Sequence, residues 1–202
     1  MVGSATLTAH RRDEYLQAAR IAIEPARVRV ELDLTPGIAV AAAVLDAIDR
    51  NRDGFLAAEE RQAYALLVLG DLELDVDGTR VSAQLGDSSF PAPESIRRGE
   101  GTIRLQLAAT LPRLSSGVHH LLFRNRHHRD SAVYLANALV PESADVAVTA
   151  QRRDGHQTEL AIDYVLTTPP AERSYAPWLL GSFAAAASLV SALVVRASRP
   201  RR

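Results

Sequence analysis

Residues 27–34 read RVRVELDL, and in this segment charged and apolar side chains alternate without interruption. Successive side chains of a β-strand point to opposite faces, so the pattern predicts a strand with one buried and one solvated face. Apolar alternation also precedes it, and we expect residues 14–24 and 26–35 to pair as a hairpin through Glu24-Pro25. The strand should end at Pro36-Gly37, because proline lacks the amide hydrogen that a central strand needs.

The same alternation recurs along the chain and predicts a mainly β protein. A second hairpin is expected where residues 72–76 meet 81–85 across Asp77-Gly78, and a last one where 146–150 meet 160–164 across residues 153–156. About eight strands with short turns predict an antiparallel β-sandwich with one helical insertion at residues 38–69. The remaining strands are expected at residues 103–107, at 118–125, and at 132–140, which is apolar enough for a buried strand.

The insertion contains the segment DRNRDGFLAAEE at residues 49–60, which has the spacing of an EF-hand calcium loop. Calcium prefers several hard oxygen ligands, and Gly54 at loop position six permits the sharp turn that such a loop requires. We therefore expect one Ca²⁺ site. The ligands at loop positions one, three, five, seven and twelve are Asp49, Asn51, Asp53, Phe55 through its main-chain carbonyl, and Glu60.

The segments on either side of the loop are patterned as helices. Leu56 at position eight is apolar, and we expect it to meet the core. Because only three carboxylates face the ion and Arg50 and Arg52 lie beside it, we expect weak binding, in about the tens of micromolar to millimolar range. Because the chain has only one such loop, we expect a structural role for calcium rather than a switch. The alternative is an acidic turn between two helices without a metal. The apolar stripes comprise Leu45 and Ile48 before the loop, and Tyr64, Leu67 and Val68 after it.

Residues 177–195 carry no charge and, as a helix, would span about 28 Å, which matches the apolar thickness of a bilayer. We predict a transmembrane helix there, preceded by a short stalk at residues 167–176. The arginine-rich tail at residues 196–202 predicts a cytoplasmic carboxyl end, so residues 10–166 would form an extracytoplasmic domain. The alternative is an alanine-rich buried helix of a soluble domain.

Such a topology requires an export signal. Residues 1–9 lack a basic start and a long apolar centre, but resemble the small-residue cleavage end of a signal peptide. We interpret them as the remnant of a signal peptide whose true start lies upstream. The alternative is a tail-inserted helix that leaves the domain in the cytoplasm. Gly181 and Ala185 are spaced four apart on the predicted anchor, a spacing that permits homodimerisation.

Composition excludes several classes of protein. The 202 residues carry a formal charge of −1 and only 5% aromatic residues, which argues against nucleic-acid binding. There is no cysteine, so disulfides and thiolate chemistry are excluded. The sequence lacks a Gly-x-Ser-x-Gly elbow, a phosphate-cradling glycine loop and a His-Glu-x-x-His helix, and we therefore predict no catalytic residues and no enzyme.

Histidine is the other residue type with the potential to bind metal. His119-His120 lies on a predicted strand, where neighbours point to opposite faces and cannot chelate one ion together. We interpret His127-His128 as part of a solvated polar loop. If cleavage follows Ala9, His10 becomes the amino terminus and could join a copper-binding histidine brace with a second histidine.

Several segments, taken together, resemble bacterial exported domains that occur alone or fused to permease modules of the nickel/cobalt or hydrogenase-accessory (HupE/UreJ) kind. The resemblance covers roughly residues 10–166, and it implies an exported β domain but no catalytic residues. A single predicted anchor stands here in place of the permease, so transport itself is not implied. The segments that carry it are RDEYLQA at 12–18, LDLTPG at 32–37, the calcium loop, LFRN at 122–125 and YLANALVP at 134–141.

We therefore expect a calcium-binding, membrane-anchored extracytoplasmic module that serves as an accessory or binding domain, with a permease or other envelope protein as a partner. The alternative, from a different class, is a periplasmic component that binds nickel, cobalt or copper for a metal permease.

Overall fold

The computed structural model describes residues 14–167. The predicted signal remnant at 1–9, the stalk beyond residue 167, the anchor helix at 177–195 and the tail at 196–202 lie outside the described residues, as does His10. Within residues 14–167, no helix combines the length and the apolar character needed to cross a membrane.

The described chain is mainly β, as predicted, and its strands form two five-stranded sheets. We call them sheet A, with the order β5-β6-β2-β1-β8, and sheet B, with the order β4-β3-β7-β10-β9. The elements in chain order are β1 (Tyr15–Glu24), β2 (Arg27–Pro36), α1 (Ile38–Ile48), α2 (Ala58–Gly70), β3 (Leu72–Val76), β4 (Thr79–Val81), β5 (Ala83–Ser89), α3 (Pro93–Arg97), β6 (Ile103–Thr110), β7 (Gly117–Asn125), β8 (Ala132–Ala138), β9 (Val146–Arg153) and β10 (Glu159–Leu166).

One hydrophobic core fills the space between the sheets. The predicted hairpin of β1 and β2 is present, and Ile21 lies opposite Val30 in its register. The apolar residues of β2 are all buried, whereas its charged residues face outward. Residues from both sheets belong to the same buried cluster, for example Leu105 of β6 and Phe123 of β7. The period-two pattern therefore identified the core face correctly.

Strand β8 departs from the predicted antiparallel arrangement. It pairs with β1 in parallel, with Tyr15 opposite Ala132 and Ile21 opposite Ala138. It also lies at the edge of sheet A, and the side chain of Leu135 is 41% exposed, so the expectation of a buried strand was wrong. The β7–β8 connection crosses from one sheet to the other, which allows a parallel neighbour without a helical crossover.

The second predicted hairpin is only partly correct. Residues 72–76 pair with 79–81 across Asp77-Gly78, but the chain then leaves sheet B at Ser82. Residues 83–89 form β5, which pairs with β6 in sheet A. Positive φ angles of 49° at Asp77 and 78° at Gly78 explain the tight turn. The alternation of apolar residues cannot reveal that the chain passes from one sheet to the other, because the same alternation continues from β4 into β5.

The helical insertion is located as predicted, with α1 and α2 flanking the loop, and the short helix α3 was not anticipated. Leu45, Ile48 and Tyr64 are buried as expected. Leu67, however, is 52% exposed, and Ala65 takes its place in the core. The predicted apolar stripe of α2 was therefore rotated by part of a turn.

The outer faces of both sheets carry ion pairs between neighbouring strands. On sheet B, Arg124 bonds Glu159 at 2.7 Å and approaches Glu73 at 3.5 Å. On sheet A, Arg20 contacts Glu31 at 3.1 Å and Asp33 at 3.0 Å. Opposite charges across strands stabilise the sheet modestly and leave little unpaired charge on these faces.

The core assignment leads to a stability test. Leu32 is fully buried on the central strand β2, so Leu32→Ala should lower the free energy of unfolding by about 2–5 kcal/mol, measured by urea denaturation. Arg27→Ala, on the exposed side of the same strand, should cost less than about 1 kcal/mol because it removes only a surface ion pair with Glu24. Equal losses in the two variants would contradict the assignment of the buried face.

Candidate metal centre

The loop at residues 49–60 joins α1 to α2 and reverses the chain within a few residues. Helix α1 ends where the amide of Asp49 donates to the carbonyl of Leu45 at 2.8 Å. Arg52 has a φ of 60° and Gly54 a φ of 84°, so two left-handed positions make the turn. A Cβ at Gly54 would meet nothing within 4 Å, which means that backbone conformation rather than space requires glycine there.

The side-chain oxygens of the first three predicted ligands turn toward the backbone of the loop. The two carboxylate oxygens of Asp49 accept hydrogen bonds from the amides of Asp53 at 3.1 Å and Gly54 at 2.9 Å. The amide of Asp53 also donates to the side-chain oxygen of Asn51 at 2.9 Å. Asp53 in turn accepts from the amide of Phe55 at 2.8 Å. The predicted ligands are thus gathered around one turn of backbone.

Glu60 connects the two ends of the loop. Its Oε1 accepts from the amide of Arg50 at 2.9 Å and from that of Asn51 at 3.3 Å. Its Oε2 accepts from the amide of Ala57 at 3.0 Å, the back-bond that a glutamate at the third helical position makes to the residue preceding the helix. The predicted bidentate ligand therefore already fixes the start of α2 relative to the start of the loop.

The donor types in this loop fit calcium. Three carboxylates, one amide oxygen and one main-chain carbonyl provide the hard oxygen ligands that Ca²⁺ prefers. A carboxylate oxygen accepts at about two lone-pair positions, so an oxygen that accepts one amide can still bind a cation. Within the described residues, no group of three or more His, Asp or Glu side chains stands in an arrangement that could hold a metal ion. Ligation therefore requires the side chains to converge from their present positions.

Local charge works against tight binding. The loop carries Arg50 and Arg52, and in the described part of the chain neither side chain makes an ion pair or a hydrogen bond. The aromatic ring of Phe55 is 76% exposed, whereas Leu56 packs against the core as predicted. Two uncompensated positive charges beside three carboxylates should weaken the attraction of a divalent cation.

Helix α2 is joined to the sandwich by a group of polar residues that are buried apart from the half-exposed Asp71. We call it the buried polar cluster, and it comprises Tyr15, Gln17, Tyr64, Asp71, Asn125, His127 and Tyr134. The hydroxyls of Tyr64 and Tyr15 lie 2.7 Å apart. The same Tyr64 hydroxyl lies 3.2 Å from Nε2 of His127, and Nδ1 of His127 lies 2.8 Å from a carboxylate oxygen of Asp71. Since Tyr64 and Asp71 lie on and just after α2, the helix is held at two points.

The remaining members of the cluster fix the main chain around His127. Its carbonyl accepts from the side chains of Gln17 at 2.9 Å and Tyr134 at 2.6 Å. Its amide donates to the side-chain oxygen of Asn125 at 3.0 Å, and Asn125 donates to Gln17 at 2.8 Å. Because each of these groups is buried and satisfied, loss of one partner would leave another unpaired.

The hydrogen bonds of the cluster have a definite direction. A carboxylate only accepts, so His127 donates from Nδ1 to Asp71, and its neutral Nε2 then accepts from Tyr64. Tyr64 accordingly accepts from Tyr15. Burial lowers the pKa of His127, and the nearby His128 lowers it further, although the bond to Asp71 acts in the opposite direction. Burial raises the pKa of Tyr64 to about 12, so its hydroxyl stays protonated at neutral pH.

The interpretation of His127-His128 as a solvated loop was wrong for His127. Its side chain is 1% exposed, and its ring packs edge-on against those of Tyr15 and Tyr64. The polar neighbours of His127 in sequence gave no sign of this, because its partners come from β1 and α2. Long-range pairing of this kind leaves no local pattern.

His119 and His120 on β7 also have hydrogen-bond partners. His119 is buried, with its two ring nitrogens 2.7 Å from Asp77 and 2.8 Å from the carbonyl of Ser115. Burial alone would lower the pKa of His119, but these two hydrogen bonds outweigh it and raise the pKa. His120 points outward, as predicted, and bonds Asp163 at 2.8 Å. Since both ring nitrogens of His119 and of His127 have partners, neither ring is available to a transition metal in this arrangement.

No protein-family model matches the chain. No curated protein matches it either.

The cluster predicts a pH dependence of stability. Because the pKa of His127 is lowered from 6.5 in the folded state, its contribution is fully present above about pH 6.5 and is lost as the pH falls through the folded value. The free energy of unfolding should therefore decrease from pH 7 to pH 5. In His127→Gln this decrease should become shallower, as measured by urea denaturation at each pH.

His156→Gln is the matched control, because that ring lies exposed in the turn after β9.

His119 should affect the pH dependence of stability in the opposite direction, because its pKa is raised in the folded state. Its contribution to the free energy of unfolding is present below pH 6.5 and is lost as the pH rises through the folded value. His119→Gln should therefore steepen the loss of stability on acidification. An unchanged slope in His127→Gln would contradict the buried neutral ring.

Proposed function

We propose that this protein is a calcium-binding, membrane-anchored extracytoplasmic module that acts as an accessory or binding domain, with calcium in a structural role. The observation that carries the proposal is the loop at 49–60, where the predicted oxygen ligands surround a turn built on Arg52 and Gly54 between two helices. On binding, Asp49, Asn51, Asp53 and Glu60 would contribute side-chain oxygens and Phe55 its main-chain carbonyl.

A structural role is favoured by how the helices are held. Tyr64 and His127 tie α2 to the sandwich through buried hydrogen bonds. A sensor must release such contacts in order to open, whereas here their loss would leave several buried polar groups unpaired. Calcium bound to the loop would instead fix α1 against α2 and stabilise the arrangement that already exists.

The membrane and partner components of the proposal come from the sequence. The uncharged segment 177–195 and the basic tail 196–202 support a single transmembrane helix with the domain outside the cytoplasm. The resemblance to exported domains associated with permeases supports an envelope partner of that class. Calcium is abundant outside the cytoplasm, which suits a weak site that remains occupied.

Calcium should raise the melting temperature of the protein. If the dissociation constant lies between about 10 μM and 1 mM, 1 mM calcium stabilises the folded form by about 0.4–2.7 kcal/mol, or about 1–10 °C for a domain of this size. Glu60→Gln removes the charge of the bidentate ligand at constant volume and should abolish the shift. The measurement is a calorimetric scan of full-length protein in detergent, with calcium and with chelator.

Glu59→Gln provides the matched control, because Glu59 is the exposed neighbour of Glu60 on α2 and makes no side-chain hydrogen bond in the described chain. It should retain the full shift. Identical melting curves of the wild type in chelator and in millimolar calcium would falsify calcium binding. An increase in exposed apolar surface on adding calcium, measured by dye binding, would contradict the structural role and favour a sensor.

Membrane topology can be tested separately. Fusions at residue 170 to a reporter enzyme that is active only after export should be active in cells, when expressed from the native gene with its upstream region. The matched fusion at residue 202 should be inactive, because the basic tail is expected to stay in the cytoplasm. The reverse pattern would overturn the extracytoplasmic location.

A further inference from the structure

A groove of about 640 Å³ lies between α2 and β5. Leu66 and Leu69 contribute to the helical wall, while consecutive residues from Ala83 to Gly86 line the strand wall. Side chains alternate between the two faces of a strand, so a cavity lined by consecutive residues meets the edge of that strand rather than one face. The groove therefore exposes the edge of β5.

The edge of β5 is unpaired within residues 14–167. The strand ends sheet A, and β6 is its only strand partner there. No hydrogen bond from the described residues satisfies the side of Ala83–Ser89 that faces away from β6. At a free edge, every second residue directs its amide and carbonyl outward, and these groups can pair with another strand. A register shift between Leu85 and Ser88 bends this edge and limits its flat length.

The two walls match in length. Six residues of a strand from Ala83 to Ser88 span about 20 Å at 3.3 Å per residue. The thirteen residues of α2 also extend about 20 Å at 1.5 Å per residue. Helix α2 contacts β5 over part of this length, and the open groove that both elements line would admit one extended segment of about five or six residues beside the strand edge, with alternate side chains directed at the helix.

The groove carries positive charge only. Arg61 is the only charged residue that contributes to its lining. Its guanidinium makes no ion pair or hydrogen bond in the described part of the chain, whereas most of the other arginines there are paired. A partly buried, unpaired guanidinium is best satisfied by a carboxylate, which it can bind with two parallel hydrogen bonds.

We propose that the groove between α2 and β5 binds an extended acidic peptide, which adds as a strand to β5 and places a carboxylate against Arg61. The apolar side chains of the peptide alternate toward Leu66, Leu69 and Phe90, which line the groove. The proposal names the ligand class of the binding module described above and rests on that role. It does not depend on calcium, so the melting experiment and the binding experiment can fail independently.

A peptide fits this groove better than a second copy of the chain does. In a symmetric pair, β5 of each copy would approach with its own α2 beside it, and two helices would then compete for the space along one pair of edges. The groove of a second copy also offers no carboxylate to Arg61, because Arg61 is the only charged residue that lines it. A single acidic strand avoids both problems.

The first experiment uses a displayed library of random ten-residue peptides, selected against the full-length protein in detergent. Enriched peptides should alternate apolar residues and carry an Asp, a Glu or a free carboxyl terminus. Arg61→Glu should weaken their binding about tenfold or more, measured by fluorescence anisotropy. Arg129→Glu, which reverses another arginine without an ion pair in the described chain, should leave affinity unchanged. Melting temperatures of both variants verify that they are folded.

Hydrogen exchange then tests the location. The amides of residues 83–89 that point away from β6 should exchange rapidly in the protein alone and slowly with a selected peptide. Absence of enriched peptides, or binding that ignores Arg61→Glu, overturns the proposal. Slow exchange of the same amides without peptide also overturns the proposal. If that protection rises with protein concentration, a second copy covers β5. If it does not depend on concentration, a segment of the same chain covers β5.

Discussion

The position of α2 depends on a chain of hydrogen bonds that is buried from Tyr15 through Tyr64 to His127 and ends at the half-exposed Asp71. Apolar contacts alone would bury the helix but would allow it to slide or rotate, because they have no direction. The tyrosine hydroxyls are satisfied only when α2, β1 and the residues after β7 meet in one register. An imperfect fit would leave buried donors unpaired, which is costly.

This constraint places two surfaces at once. The amino end of α2 begins at the loop, where Glu60 bonds backbone amides on both sides of the turn. The flank of α2 forms one wall of the groove beside β5. Because one rigid helix carries both features, the loop and the groove keep a fixed relation as long as the buried polar cluster stays intact. Stabilising the loop would then also stabilise the groove wall.

The sequence predicts local features well and long-range pairings poorly. Alternation located β1, β2 and β10 because the burial of each residue depends on its own position in the strand. The turn between α1 and α2 was likewise placed correctly, because Gly54 and the apolar flanks are local features, whereas calcium ligation by the loop stays a prediction from spacing within twelve residues. By contrast, the parallel pairing of β8 and the passage of β5 into sheet A depend on which strands meet in space. The burial of His127 follows from contacts 56 to 112 positions away, such as those with Asp71 and Tyr15.

Paired and unpaired arginines lie on different parts of the domain, the outer faces of the sheets and the helical insertion. On the outer faces of the sheets, arginines such as Arg20 and Arg124 are paired with carboxylates across strands. Arginines without such partners in the described chain concentrate at the insertion, where Arg50, Arg52 and Arg61 lie within twelve residues. Paired charges hold the sheets together and attract little from solution, whereas unpaired charges remain free to bind an anion. Because residues 38–70 also carry five carboxylates, an acidic partner would be attracted by the local position of Arg61 in the groove and not by the net charge of the insertion.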